Sequence, residues 1–324
     1  MVATPTPSLR ELGRTGMRVS PVGLGTWAIG GGGWEFGWGA QDDAASISAI
    51  RRAVELGVNW IDTAPAYGTG HAEEVIGRAL KGLAPRPLLF TKVSLRWDRT
   101  RKIVHSLKGD SIRQEVDDSL RRLGVDAVDL LQIHWPEPPE DIEEGWRTLA
   151  ELKDAGKVRH IGVSNFTVEQ MRRIQRVARV ETLQPPYSLV QPQAEYTVLP
   201  YAAREGIGVI VYSPMACGLL TGTMTRERVA RLPPDDWRRT DKEFREPRLS
   251  RNLALAKVLA DIGKPHGRSA AEVAIAWTLR HPAVTAAIVG ARSAHQVEGW
   301  VGALDLRLAD TELRAISEFL RSHP

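Results

Sequence analysis

The segment NWIDTAPAYG, residues 59–68, sets an acid, Asp62, and a phenol, Tyr67, five positions apart where an apolar run meets a turn. Two further apolar runs close on ionisable side chains: PLLFTK ends at Lys92 and VDLLQIH at His134. Each residue has an ordinary reading by itself. Asp62 could bond the turn amides that follow it, Lys92 could be a solvated strand end, and His134 could be a satisfied structural histidine. The coincidence argues otherwise, because a lysine and a histidine closing strongly apolar runs are poorly placed for water unless something pairs with them. If the three segments lie side by side, a carboxylate, a phenol, an ammonium and an imidazole meet at one point. An ammonium beside a phenol favours the phenolate and pulls down a pKa that is ~10 when free, which suits the phenol to proton transfer at a developing oxyanion.

Eight short apolar runs read as strands and could deliver those groups: PVGLGT, VNWID, PLLFTK, VDLLQIH, HIGVSN, TLQPPY, GVIVYS and AAIVG. Between them lie segments of helical period such as DDAASISAIRRAVELG, DSIRQEVDDSLRRLG and EEGWRTLAELKDAG. Capping-box pairs are expected at Ser111 with Gln114, Thr167 with Gln170 and Ser293 with Gln296. Alternation of strand and helix predicts an α/β fold with a parallel sheet, and eight units in this length favour a closed (β/α)8 TIM barrel over an open sheet. A β-hairpin in LRELGRTGMRVS precedes the first strand. Extra C-terminal helices, LSRNLALAKVLADIG and SAAEVAIAWTLRH, precede the eighth, and ADTELRAISEFLR follows it. No Ser/Gly/Pro-rich linker cuts the pattern, so residues 1–324 are expected to form a single barrel domain. The Arg-, Asp- and Pro-rich stretch 223–249 reads as an excursion over one barrel mouth. Function in such barrels gathers at the C-terminal strand ends, and neighbouring strands are ~4.8 Å apart, so Asp62, Tyr67, Lys92 and His134 are expected to converge. Gly23 to Ala28 matches G-x-G-x-x-A, but the glycines at 30–33 cannot open the helix a dinucleotide fingerprint requires.

Composition narrows the function classes. Net charge is +4, with Lys and Arg interleaved among Asp and Glu, so no basic stripe points to nucleic acid. A mild positive balance equally suits an anionic small ligand. One cysteine, Cys217, excludes an internal disulfide framework, and eight scattered histidines without an H-x-x-x-H pair give a metal site no support. The start, MVATPTPSLREL, carries neither a basic n-region nor an apolar h-region, and no apolar run is long enough to span a bilayer; a cytoplasmic protein is expected.

Through IDTAPAYG, FTK, LLQIHW, IGVSNF, YSPMACGLLTG and IVGARSAHQV, the chain resembles the aldo-keto reductase superfamily over about Leu9 to Leu320. The resemblance implies a catalytic tetrad of Asp62, Tyr67, Lys92 and His134, the same four residues that strand geometry selects. It implies carbonyl–alcohol interconversion with a nicotinamide hydride, Tyr67 giving or taking the proton, Lys92 lowering its pKa, Asp62 aiming Lys92, and neutral His134 orienting the carbonyl oxygen. It further implies that Ser164, Asn165 and Gln184 hold the nicotinamide amide and that Tyr212 stacks on the ring. The segment from Ser213 to Gly222, with Pro214, Gly218 and Leu220, would meet the pyrophosphate. Many relatives carry a lysine just after that segment, where this chain has Thr223. Gly290, Arg292 and Gln296 would form an anion site for a 2′-phosphate, favouring NADP(H) with NAD(H) possible, while Trp300 stands where some relatives have Asn. Ten tryptophans are many for this length. Trp27, Trp34, Trp38, Trp97 and Trp135 fall at the expected mouth and are expected to wall a pocket for a flat, aromatic or sugar-like carbonyl compound, each offering apolar area and one donor. The alternative is a cofactor-sensing binding subunit with negligible turnover, as in some relatives that serve potassium channels.

Overall fold

The computed structural model describes residues 8–323. Eight parallel strands close into a barrel: β1 (Val22–Gly25), β2 (Trp60–Asp62), β3 (Leu88–Val93), β4 (Val128–Ile133), β5 (Val158–Ser164), β6 (Thr182–Gln184), β7 (Gly208–Tyr212) and β8 (Ala286–Gly290). Their order around the barrel is their order along the chain, and β8 pairs β1 to complete it. All eight runs expected from the sequence are barrel strands, and the fold is the (β/α)8 TIM barrel.

Period-two alternation explains what each strand sends inward. Trp60, Phe90 and Leu130 pack with Ile210, Ala286 and Ile288, and with Leu12 and Val19 from the N-terminal hairpin (Arg10–Glu11 against Arg18–Val19). The hairpin therefore plugs the bottom of the barrel. Gly23 belongs to this floor rather than to any phosphate loop, since a Cβ there would lie 2.1 Å from the Trp60 indole. Two residues further along β2, β3 and β4, the same alternation brings Asp62, Lys92 and Gln132 to the inner face one layer higher, with His134 just past the end of β4. The outward residues, among them Leu89, Leu131, Ile133 and Val163, join the helices in the main core. Removing a side chain as large as Trp60 from such packing costs about 3–5 kcal/mol.

Several local expectations change. The helix Gly109–Leu123 begins earlier than expected, with Lys108 as N-cap; Ser111 is inside its first turn and donates to Glu115 instead of capping. Its face is set by Ile112, Val116 and Leu123, and Gly124 at φ +69° ends it in the left-handed conformation glycine tolerates. The capping box at Thr167 and Gln170 is present. Ser293 caps the short helix Ala294–Glu298, but Gln296 turns its side chain to the N–H of Arg292, so that box is half formed. Stretch 223–249 folds into the helix Arg226–Ala230 and short 3₁₀ turns, and Trp237 from it stacks on Trp27 with centroids 5.1 Å apart, over the mouth. An antiparallel pair outside the barrel, Leu95–Trp97 with Ile103–His105, had no counterpart in the sequence expectation.

Candidate active site

Asp62, Lys92 and Tyr67 meet where β2 and β3 end. Lys92 Nζ donates to Asp62 Oδ1 at 2.6 Å and to the carbonyl of Thr63 at 2.9 Å, and lies 3.4 Å from Tyr67 Oη. Gln184 Nε2, at the end of β6, donates to the other Asp62 oxygen at 2.8 Å. Each oxygen of the carboxylate therefore has a partner. Asp62 and Lys92 are fully enclosed, whereas Tyr67 and His134 keep an edge open to the mouth. The His134 ring stands edge-on to Tyr67, with centroids 5.8 Å apart. Its Nδ1 is buried without a partner among the described residues. A neutral imidazole carries one N–H, and placing it on Nε2 points a donor to the open side.

Burial dominates the electrostatics. It pushes the Lys92 ammonium down and the Asp62 carboxyl up, each opposed by the charge of the other across the short bond. His134 is held well below the usual imidazole range, first by burial and then by the Lys92 charge, so it is neutral at ordinary pH. The expected lowering of Tyr67 by Lys92 is reversed. Burial, with the Asp62 charge added, holds the phenol well above its ordinary value. The physical reason is that Asp62 balances Lys92, so the ion pair presents little net positive charge to the ring oxygen while the enclosure still disfavours phenolate.

The amide and hydroxyl cluster lies directly beside this set. Asn165, at φ +62°, donates to the carbonyl of His134 at 3.0 Å and to Ser164 Oγ at 3.1 Å, and Ser164 donates to the carbonyl of Gln184 at 2.9 Å. Tyr212 closes β7 and donates to Asn165 Oδ1 at 2.8 Å. Ser164, Asn165, Gln184 and Tyr212 thus form one hydrogen-bonded network at the ends of β5, β6 and β7. Beyond them the backbone turns left-handed at Ser213, Ala216, Cys217 and Gly218. Pro214 is buried in this turn. Leu220 packs in the core, and its N–H is given to the carbonyl of Met215. Gly290 ends β8, and Gln296 accepts from the backbone N–H of Arg292 at 2.8 Å. At Thr223, where a lysine was expected from relatives, the Arg228 guanidinium reaches in to 3.3 Å from the hydroxyl. Trp300 is buried.

Of the five predicted pocket tryptophans, Trp27 and Trp34 bring ring centroids to 6.5 Å from Tyr67, and Trp38 packs edge-on against Trp27 at 5.2 Å. The indole donors of Trp27 and Trp34 are spent on the carbonyls of Phe36 and Gly31, so they offer faces rather than donors. Trp97 sits in the added antiparallel pair and Trp135 is exposed just past β4. Trp237 was not foreseen as a mouth residue. Its stretch was expected over a mouth, but an irregular segment has no period to single out which of its residues turns inward.

A parallel barrel whose C-terminal mouth gathers a buried ion pair, a phenol and a neutral imidazole has the groups for moving a proton at a developing oxyanion. Comparison with known proteins agrees. A model of the Aldo/keto reductase family matches residues 21–321. The chain is 42% identical over 287 residues to aldo-keto reductase YhdN of Bacillus subtilis (strain 168), covering 88% of this chain and 85% of that protein. It is 34% identical over 321 residues to the NADH-specific methylglyoxal reductase of Escherichia coli (strain K12), covering 95% and 96%. Among solved structures, the glycerol dehydrogenase AKR11B4 from Gluconobacter oxydans superposes with a TM-score of 0.88 at 38% identity, covering 98% of this chain and 96% of that one. The chain belongs to the aldo/keto reductase family: it is an oxidoreductase acting on carbonyl compounds, in a family that uses nicotinamide cofactors. The donor set fits such a cofactor, with side-chain amides and a hydroxyl beside the phenol and a guanidinium at the start of the last loop.

Proposed function

We propose that the chain acts as a single barrel domain that interconverts a carbonyl, whether aldehyde, ketone or sugar, with its alcohol using NADP(H). Tyr67 is the general acid in reduction and the general base in oxidation. The observation that carries this reading is the position of Lys92 Nζ, 2.6 Å from Asp62 and 3.4 Å from Tyr67. When bound, the nicotinamide supplies or accepts the hydride. In reduction, negative charge grows on the substrate oxygen, and Tyr67 Oη delivers its proton there. Burial keeps the phenol protonated at neutral pH, so it enters reduction as an acid, while Lys92 steadies the phenolate left behind. Asp62 keeps Lys92 charged and aimed. His134, neutral, donates to the same oxygen and fixes its approach.

Ser164, Asn165 and Gln184 would hold the carboxamide, Tyr212 would lie against the ring, and the turn Ser213–Gly222 would meet the pyrophosphate. Arg292, beside Gly290 and Gln296, would hold the 2′-phosphate. Trp27 and Trp34 would wall the carbonyl pocket with their faces, favouring flat or sugar-like compounds. One cysteine in 324 residues suits the reducing cytoplasm, where we place the enzyme. The test is a panel of aldehydes, ketones and sugars assayed with NADPH and NADH. Turnover with a preference for NADPH is expected; tight NADPH binding with no turnover across the panel would replace the reading by that of a cofactor sensor.

A further inference from the structure

Arg292 is a cation held by neutral groups. Its Nε donates to Gln41 Oε1 at 2.6 Å, Nη1 to the carbonyl of Trp38 at 3.3 Å, and Nη2 to the carbonyl of Ala40. Gln41 grips the same residue a second time, donating from Nε2 to the Arg292 carbonyl at 2.9 Å. That amide is itself anchored to Ser46 Oγ at 2.9 Å, in the first turn of the helix Asp43–Glu55. The loop after β1 is thereby buckled to the loop after β8 across the seam where the barrel closes. No carboxylate among the described residues pairs with Arg292. Arg238 and Arg228 add positive charge nearby, and Asp236 is already bound by both arms of Arg238, at 2.9 and 2.6 Å. The spot is short of negative charge.

The geometry points to Gln41 as a residue that sets cofactor preference, by competing with the adenosine 2′-phosphate for the Arg292 guanidinium. The inference rests on the reading of Arg292 as the phosphate-binding residue. Three of the five guanidinium N–H groups are given to one loop segment, Nε among them, which leaves one N–H on each of Nη1 and Nη2 and takes the Nε edge out of the bidentate grip a phosphate takes best. A phosphate dianion is a stronger acceptor than an amide or a carbonyl and can displace them, but each displaced acceptor subtracts from the gain. NADH brings no such phosphate and leaves the buckle fastened. Gln41 thus narrows the margin by which NADPH is preferred over NADH.

The experiment measures Kd for NADPH and for NADH by quenching of tryptophan fluorescence in the wild type, Gln41→Ala, Gln41→Glu and Arg292→Ala. Alanine removes the competitor and is expected to lower the ratio Kd(NADPH)/Kd(NADH) about tenfold. Glutamate, isosteric with glutamine, places a charged competitor on Arg292 and is expected to raise the ratio by at least that factor with NADH binding retained. A ratio unchanged in both variants, or raised by alanine, overturns the inference. If Arg292→Ala abolishes the NADPH preference while both Gln41 variants leave it intact, this inference fails and the reading of Arg292 survives. If Arg292→Ala leaves the ratio unchanged, the reading of Arg292 itself falls.

Discussion

Lys92 and Arg292 are both cations at the barrel mouth, and they are held in opposite ways. Lys92 is fully enclosed, and its partners Asp62 and Thr63 come from the end of the neighbouring strand and include its own counter-ion. Arg292 is half-buried, and its side chain bonds an amide and two carbonyls of a loop. A cation neutralised by a neighbouring carboxylate is held in place: it acts on the groups already around it and offers little net charge to an anion arriving from solution. A cation resting on neutral acceptors is the reverse, since exchange for a phosphate gains charge pairing. On the proposed reading, one region serves proton transfer and the other recognition.

That contrast is broken most easily at Lys92. Replacing it by methionine leaves Asp62 buried without its counter-ion, which is expected to cost about 3–5 kcal/mol of stability and to lower kcat by about 10²–10⁴-fold, measured by thermal melts and steady-state assay. Arg292→Ala should do neither. Its expected effect is a weakening of NADPH binding by about 10–100-fold, the scale of hydrogen bonds to a charged group, with kcat at saturating cofactor close to wild type. Should Arg292→Ala reduce kcat as Lys92→Met does, the division between the two regions is wrong. Smaller again, Trp27→Ala and Trp34→Ala are expected to lower kcat/KM by roughly tenfold through lost apolar contact, with the loss concentrated in flat substrates. No change in catalytic efficiency across the panel would remove both rings from the pocket.

The smallest expected effect is an absence of titration. A group whose folded pKa is depressed takes up its proton only below the ordinary range, and His134 is depressed well below 6.5, so it is neutral from pH 8 down past 6.5. The phenol is raised and stays protonated over the same span. The kcat of reduction is therefore expected to be flat between about pH 6 and 8. An inflection near 6.5 would mean that His134 is not enclosed as the geometry has it, and the proton-transfer region would lose the feature that sets it apart from the open Arg292 site.

What was legible in the sequence follows the same division. The convergence of Asp62, Tyr67, Lys92 and His134 could be read because three of them close apolar runs, with Tyr67 in the turn after the first, and strand ends in a parallel barrel have one destination; register then fixes the meeting to within one layer. The amides at Ser164, Asn165 and Gln184 were readable for the same reason. The direction of the Tyr67 shift was not, because it depends on whether Asp62 or solvent balances Lys92, a matter of burial that a linear pattern does not contain. The added pair Leu95–Trp97 with Ile103–His105, which carries Trp97, was not legible, because a loop position after a strand says nothing of where the chain turns next. Gln41 escaped altogether, and Trp237 was covered only by the stretch that holds it. Both act through contacts with residues far along the chain, 251 positions away in the case of Gln41 and Arg292, with no local period to mark them.

The central claim is that Tyr67 moves the proton at a site that binds cofactor independently of it. Its most direct test is Tyr67→Phe, with kcat for the best carbonyl substrate and Kd for NADPH determined on the same preparation. A loss in kcat of about 10²–10⁴-fold is expected, with Kd within about a factor of two of wild type. Retention of most of the turnover by the phenylalanine variant would contradict it.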